Sequence, residues 1–185
     1  MSDADLSIGP ARFIRNLVIG VALTGGVIFA TGLARGQNAA AVLHHFLHLK
    51  GRLHTPDLGL LAAAPIQIQV HVAAVSVALT IGIVLMLGLK GTTVHRTLGW
   101  IWVVAMATAA ISSLFIHRAN AGSFSFLHLF AGWTLIALPM GVSAARKHNV
   151  RLHGRTMTGM FVGGLLIAGA FAFLPGRLMW QMMFG

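Results

Sequence analysis

Four histidines stand in two pairs around two hydrophobic stretches: His71 and His95 are 24 residues apart, and His128 and His153 are 25 apart. A helix rises about 1.5 Å per residue, so each spacing sets imidazoles near the two faces of a bilayer core about 30 Å thick. Imidazole is a ligand of haem iron, and a b-type haem takes two, about 4 Å apart across the metal. His71 lies six residues beyond Pro65, about 9 Å into the membrane from the outer face. His128 reaches a comparable depth from the same face. His95 and His153 open their helices at the opposite face. The expected ligand pairs are therefore His71 with His128 and His95 with His153, holding one or two haem b groups. The outer pair is buried about a quarter to a third of the way through the bilayer, where an unligated imidazole is hard to accommodate; the competing reading is neutral imidazoles hydrogen-bonded within the bundle, to each other or to neighbours such as Gln67 or Ser125. The inner pair sits beside arginines at helix mouths, where an interfacial anchor is the competing reading.

The remaining polar residues constrain this chemistry. There is no cysteine, which excludes disulfides, iron–sulfur clusters and thioether-linked haem. The three acidic residues are Asp3, Asp5 and Asp57, none of them in a hydrophobic stretch, which weighs against a cation transporter with a carboxylate in the membrane. Arg96, Arg118, Arg155 and Arg177 are placed near the interfaces to meet haem propionates. Gly99 and Gly132 each follow a histidine by four residues and leave room for a flat macrocycle on the same helical face. His44 and His48, at helical spacing in the loop before His71, form a second candidate site for copper or zinc. Two other classes stay open: a metal or small-solute membrane transporter, and a non-catalytic structural or assembly subunit of a membrane complex.

The elements that must hold these residues are membrane helices. Of 185 residues, 57% are hydrophobic and 9% charged, and the mean hydropathy is +0.84; the class is an all-α integral membrane protein. Spans are expected at roughly 13–34, 65–89, 97–117, 123–145 and 156–180, about five in all. The last four form an antiparallel bundle because their joints are short. This makes one membrane domain: a tail at 1–12, an outer interfacial loop at 35–64 and a four-helix core at 65–180. Arg12, Arg15, Lys90, Arg96, Arg146, Lys147, Arg151 and Arg155 fall on one side, and Arg35, Lys50, Arg52, Arg118 and Arg177 on the other. That bias puts the N-terminus in the cytoplasm and the C-terminus in the periplasm of a bacterial inner membrane. The net charge of +10 is then a topology signal and not a nucleic-acid surface. Trp100, Trp102, Trp133 and Trp180 are expected in an aromatic belt. Lipid surrounds the chain, and quinol or a redox protein is the expected partner.

The segments "QIQVHVAAVSVALTIG", "VHRTLGWIW" and "FLHLFAGWTLIALPMGVSAARKHNVRLHGRTMTGMFVGGLLIAGAFAFLPGR" resemble an uncharacterised bacterial family of predicted membrane proteins, over about residues 65 to 177. The chain departs from that pattern at His153-Gly154-Arg155, where histidine and arginine are expected to be adjacent. In architecture it more remotely resembles cytochrome b561, a transmembrane dihaem electron carrier. That resemblance implies four histidines on four successive helices, first paired with third and second with fourth, hence His71 with His128 and His95 with His153. It implies electron transfer, a membrane oxidoreductase activity, although this chain has five expected spans where cytochrome b561 has six, and no ascorbate motif is evident.

Overall fold

A computed structural model describes residues 54–116, 126–173 and 177–184, with isolated positions at 15, 18, 22, 26 and 38. The expected first span at 13–34, four isolated helical positions apart, lies outside the described residues, as do His44, His48 and Arg118. All regular structure among the described residues is helical: α1 (Leu58–Ala62), α2 (Ile66–Leu87), α3 (Thr93–Leu114), α4 (Phe126–Arg146) and α5 (Val150–Met160). The last of these runs through a π-helical stretch, Phe161–Ile167, into α6 (Ala168–Ala172), and α7 (Leu178–Phe184) is the last described helix. The chain is an all-α membrane protein, and among the described residues four helices are long and apolar enough to cross a membrane: Ile66–Leu87, Thr93–Leu114, His128–Arg146 and Val150–Ala172. Twenty-two residues, as in α2 and α3, give about 33 Å, enough for the hydrocarbon core.

The last span differs from its expected limits of 156–180. It starts at Val150 and stops at Ala172, and Leu178–Phe184 is a separate short helix. Arg151 and Arg155 read as loop residues in sequence, yet both are exposed members of α5. Long basic side chains let a helix begin before its apolar stretch does, because the charged head reaches the interface while the stem covers apolar surface.

Neighbouring helices pack in order, α2 on α3, α3 on α4 and α4 on α5, and the π-helical stretch closes the ring against α2 and α4. In this four-helix bundle α2 stands opposite α4, and α3 opposite the last span. Lipid tails are as apolar as leucine, so close contact rather than water exclusion joins the helices, and small residues are what allow it. Ala78, Ala105, Ala109, Ala131, Ala137 and Ala144 are all buried. At Gly82 a β-carbon would stand 2.6 Å from the Phe161 ring and 2.9 Å from Trp102 Nε1, so α2 approaches α3 and the π-helical stretch only because no side chain is there. Val77, Ile83, Val104 and Ile136 turn outward, as a lipid-facing surface requires.

Trp102 corrects an expectation. Trp100 and Trp133 are more than half exposed and suit a belt, but Trp102 is 3% exposed and belongs to the core with Met106, Met160, Phe161 and Leu165. It stands seven residues after His95, two helical turns further along the same face of α3.

Two tight turns form the end that carries His95 and His153. Between α2 and α3, Gly91 adopts φ +80°, and the Thr92 hydroxyl accepts from the His95 backbone N–H at 3.1 Å. Between α4 and α5, His148 adopts φ 54°, the Asn149 N–H donates to Ala144 O at 2.9 Å, and Asn149 Oδ1 accepts from the Leu152 N–H at 3.0 Å. Each α-helix start is thus capped by a short polar side chain three residues upstream. At the other end His54 N–H donates to Met183 O at 3.2 Å and Asp57 N–H to Met182 O at 3.0 Å, so the segment ahead of α1 is bonded to α7. The Gln69 amide donates to Ala62 O and Ala64 O, fastening α1 to the start of α2.

Candidate functional site

His95 and His153 come together. Their ring centroids are 6.5 Å apart and the ring planes are 79° from parallel, an edge-to-face arrangement. The capped turns place them: Thr92 fixes the first turn of α3, so His95 enters as its third residue, and Asn149 fixes α5, so His153 enters as its fourth. The one-residue difference is the same offset that separates His95-Arg96 from His153-Gly154-Arg155. Both rings are partly buried.

Their nitrogens differ. His153 Nδ1 lies 2.9 Å from Gly141 O. A carbonyl only accepts, so Nδ1 carries the proton and Nε2 the lone pair, the state that a metal-binding imidazole needs. A β-carbon at Gly141 would stand 2.6 Å from the tip of the Met157 side chain, so α4 and α5 lie close at the level of that carbonyl. His95 Nδ1 is buried with no hydrogen-bond partner among the described residues. A buried polar atom left so costs about 1–3 kcal/mol unless a ligand or water meets it.

The other two histidines lie at the opposite end. His71 Nδ1 stands 2.9 Å from Ala109 O and 3.2 Å from Ser112 Oγ on α3, while Ser112 Oγ itself donates to Ala109 O at 3.0 Å. The Ala109 carbonyl again makes Nδ1 the protonated nitrogen and leaves Nε2 as an acceptor. His128 is partly buried near the start of the described part of α4. A β-carbon built at Gly99 or Gly132 would meet no atom within 4 Å, so neither glycine is demanded by a close neighbour.

Arg96 and Arg155 are exposed at the His95–His153 end, and Arg177 is partly buried ahead of α7. The Arg146 guanidinium lies 5.8 Å from the centroid of the Trp100 ring, a cation–π contact that joins α4 to α3. No group of three or more His, Asp or Glu side chains suited to a bare metal ion occurs among the described residues.

Sequence reasoning missed four contributors. Thr92 and Asn149 were legible as capping residues before apolar runs. Gly141 and Ala109 act through backbone carbonyls, for which no residue type gives a signal.

Residues 68–181 match the family described as Predicted membrane protein (DUF2306). The chain belongs to this family. The matched stretch covers more than half of the sequence and holds all four paired histidines, both capped turns and most of α7, so the DUF2306 portion and the bundle are nearly the same unit. No curated protein and no solved structure matches the chain.

Proposed function

We propose that this DUF2306 protein is a transmembrane b-type cytochrome-like electron carrier whose first haem site lies between His95 and His153. The carrying observation is the 6.5 Å centroid separation with nearly perpendicular ring planes. Rings this close on facing helices would both be within reach of one metal held between them. Two histidines alone suit a metal that brings its own equatorial ligands. The orphaned His95 Nδ1 and the His153 tautomer fixed by Gly141 both fit a ligand held at this place. His95 and His153 would hold the iron, and Arg96 and Arg155 would meet the propionates. Bound haem would supply one-electron chemistry in a low-dielectric site.

The second site lies between His71 and His128, the pairing that the resemblance to cytochrome b561 implies. His71 supports it through a tautomer with Nε2 available. Electrons would pass along the bundle from quinol or a redox protein. The end with Lys90, Arg96, Arg146, Lys147, Arg151 and Arg155 faces the cytoplasm of the bacterial inner membrane in this reading.

The test is a visible absorption spectrum of the protein purified after expression with haem supplied, oxidised and then reduced with dithionite. The expected result is a Soret band that shifts on reduction and is weakened by His95→Ala and by His153→Ala. Absence of a Soret band would overturn the proposal.

A further inference from the structure

A groove of about 510 Å³ runs along the α4–α5 hairpin, lined by Pro139, Met140, Ser143, Lys147, Asn149 and Leu152. Pro139 and Met140 lie within α4; Lys147, eight residues after Pro139 and the first residue beyond that helix, stands at the groove's mouth, about 12 Å away along the axis. The groove thus spans the depth from the headgroup layer into the acyl region. Met140 and Leu152 are 49% and 43% exposed, so its apolar part is open to whatever lies beside the helix. Lys147 differs from Lys90 and Arg146. Lys90 Nζ is bonded back to Met86 O and Arg146 lies over Trp100, whereas the Lys147 ammonium has no hydrogen-bond or ion-pair partner among the described residues.

We infer that this groove binds an anionic phospholipid, its phosphate at Lys147 with the Ser143 hydroxyl below, and an acyl chain along Pro139, Met140 and Leu152. The argument is charge complementarity joined to an apolar floor. A free phosphate would use the lysine but not the floor. A second copy of this chain brings little counter-charge, three aspartates (Asp3, Asp5 and Asp57) within a net charge of +10. A zwitterionic lipid has the chain but lacks the net negative charge that favours basic sites at the membrane surface. The inference is independent of haem.

Native mass spectrometry of the purified full chain in neutral detergent tests it, with phosphatidylglycerol or phosphatidylcholine added at equal ratio. The expected result is selective retention of phosphatidylglycerol, weakened about fivefold by Lys147→Met. Ser143→Phe, which fills the groove without touching the charge, should weaken it as well. Lys90→Met, a cation in the α2–α3 turn away from the groove, should leave it unchanged. Equal retention of the two lipids, equal loss in Lys90→Met, or displacement of the lipid by millimolar inorganic phosphate overturns the inference. Should Ser143→Phe fail to fold, the comparison of Lys147→Met with Lys90→Met decides, because both positions are exposed.

Discussion

His95 and His153 meet edge to face across the bundle, on helices from opposite corners of the ring, with 6.5 Å between ring centroids. Neither imidazole is brought there by its own stretch of sequence. Each is set by a turn, a cap and, for His153, a carbonyl of the preceding helix.

If that pair holds a haem, removing either ring removes the site and leaves the other end alone. His95→Ala and His153→Ala should each abolish one site, so a dihaem protein loses about half of its reduced-minus-oxidised Soret difference and a monohaem protein all of it. Haem counted per chain in the two variants checks this. A variant pair that differs in haem content would show that the two histidines do not share one iron.

The caps should be measurable by themselves. Thr92→Ala and Asn149→Ala each remove an acceptor from a helix start, and each is expected to cost about 1 kcal/mol. Denaturant titration of the protein in mixed micelles reads the loss. The same variants should broaden or weaken any spectrum that belongs to the His95–His153 end, because the cap fixes the turn from which each ring projects.

Gly82→Ala tests the closeness of α2 to the core. The added methyl would stand 2.6 Å from the Phe161 ring and 2.9 Å from Trp102 Nε1, with both side chains buried. Overpacking of this kind costs about 1–3 kcal/mol, and a lower melting temperature is the expected outcome. Gly99→Ala, where no atom lies within 4 Å, is the matched control and should melt close to the parent.

His148 holds a left-handed conformation, φ 54°, at the position after α4 where glycine or asparagine is usual. His148→Gly relieves the contact between Cβ and backbone and loses some of that gain to the greater freedom of the unfolded chain. A net stabilisation of about 0.5–1 kcal/mol is expected. A less stable His148→Gly variant would mean that the imidazole itself makes the turn.

Much of the bundle was legible because hydropathy alone marks membrane helices. The spans around His71, His95 and His128 fall close to their expected places. The last one began earlier than expected, since Arg151 and Arg155 look like a loop in one dimension and lie on the exposed side of a helix in three. Trp102 was misplaced for a related reason: distance from a span end suggested a belt, while its seven-residue interval from His95 marks the inward face. The pairing of His95 with His153 followed from depth. The Gly141 and Ala109 carbonyls could not be anticipated, because every residue carries one and only the packed neighbour selects which is used.

The two ends of the bundle are closed in different ways. Covalent turns of a few residues tie α2 to α3 and α4 to α5 beside His95 and His153, whereas the far end is held partly by two backbone hydrogen bonds between the segment at His54–Asp57 and α7. The bundle therefore has a hinge and a latch. Parting the segment at His54–Asp57 from α7 breaks hydrogen bonds and side-chain contacts without unwinding a spanning helix, so amide deuterium is expected to enter α1 and α7 well before the first turns of α3 and α5. A bulky fusion at the C-terminus would bear on the latch, whereas a substitution in the capped turns loads the hinge.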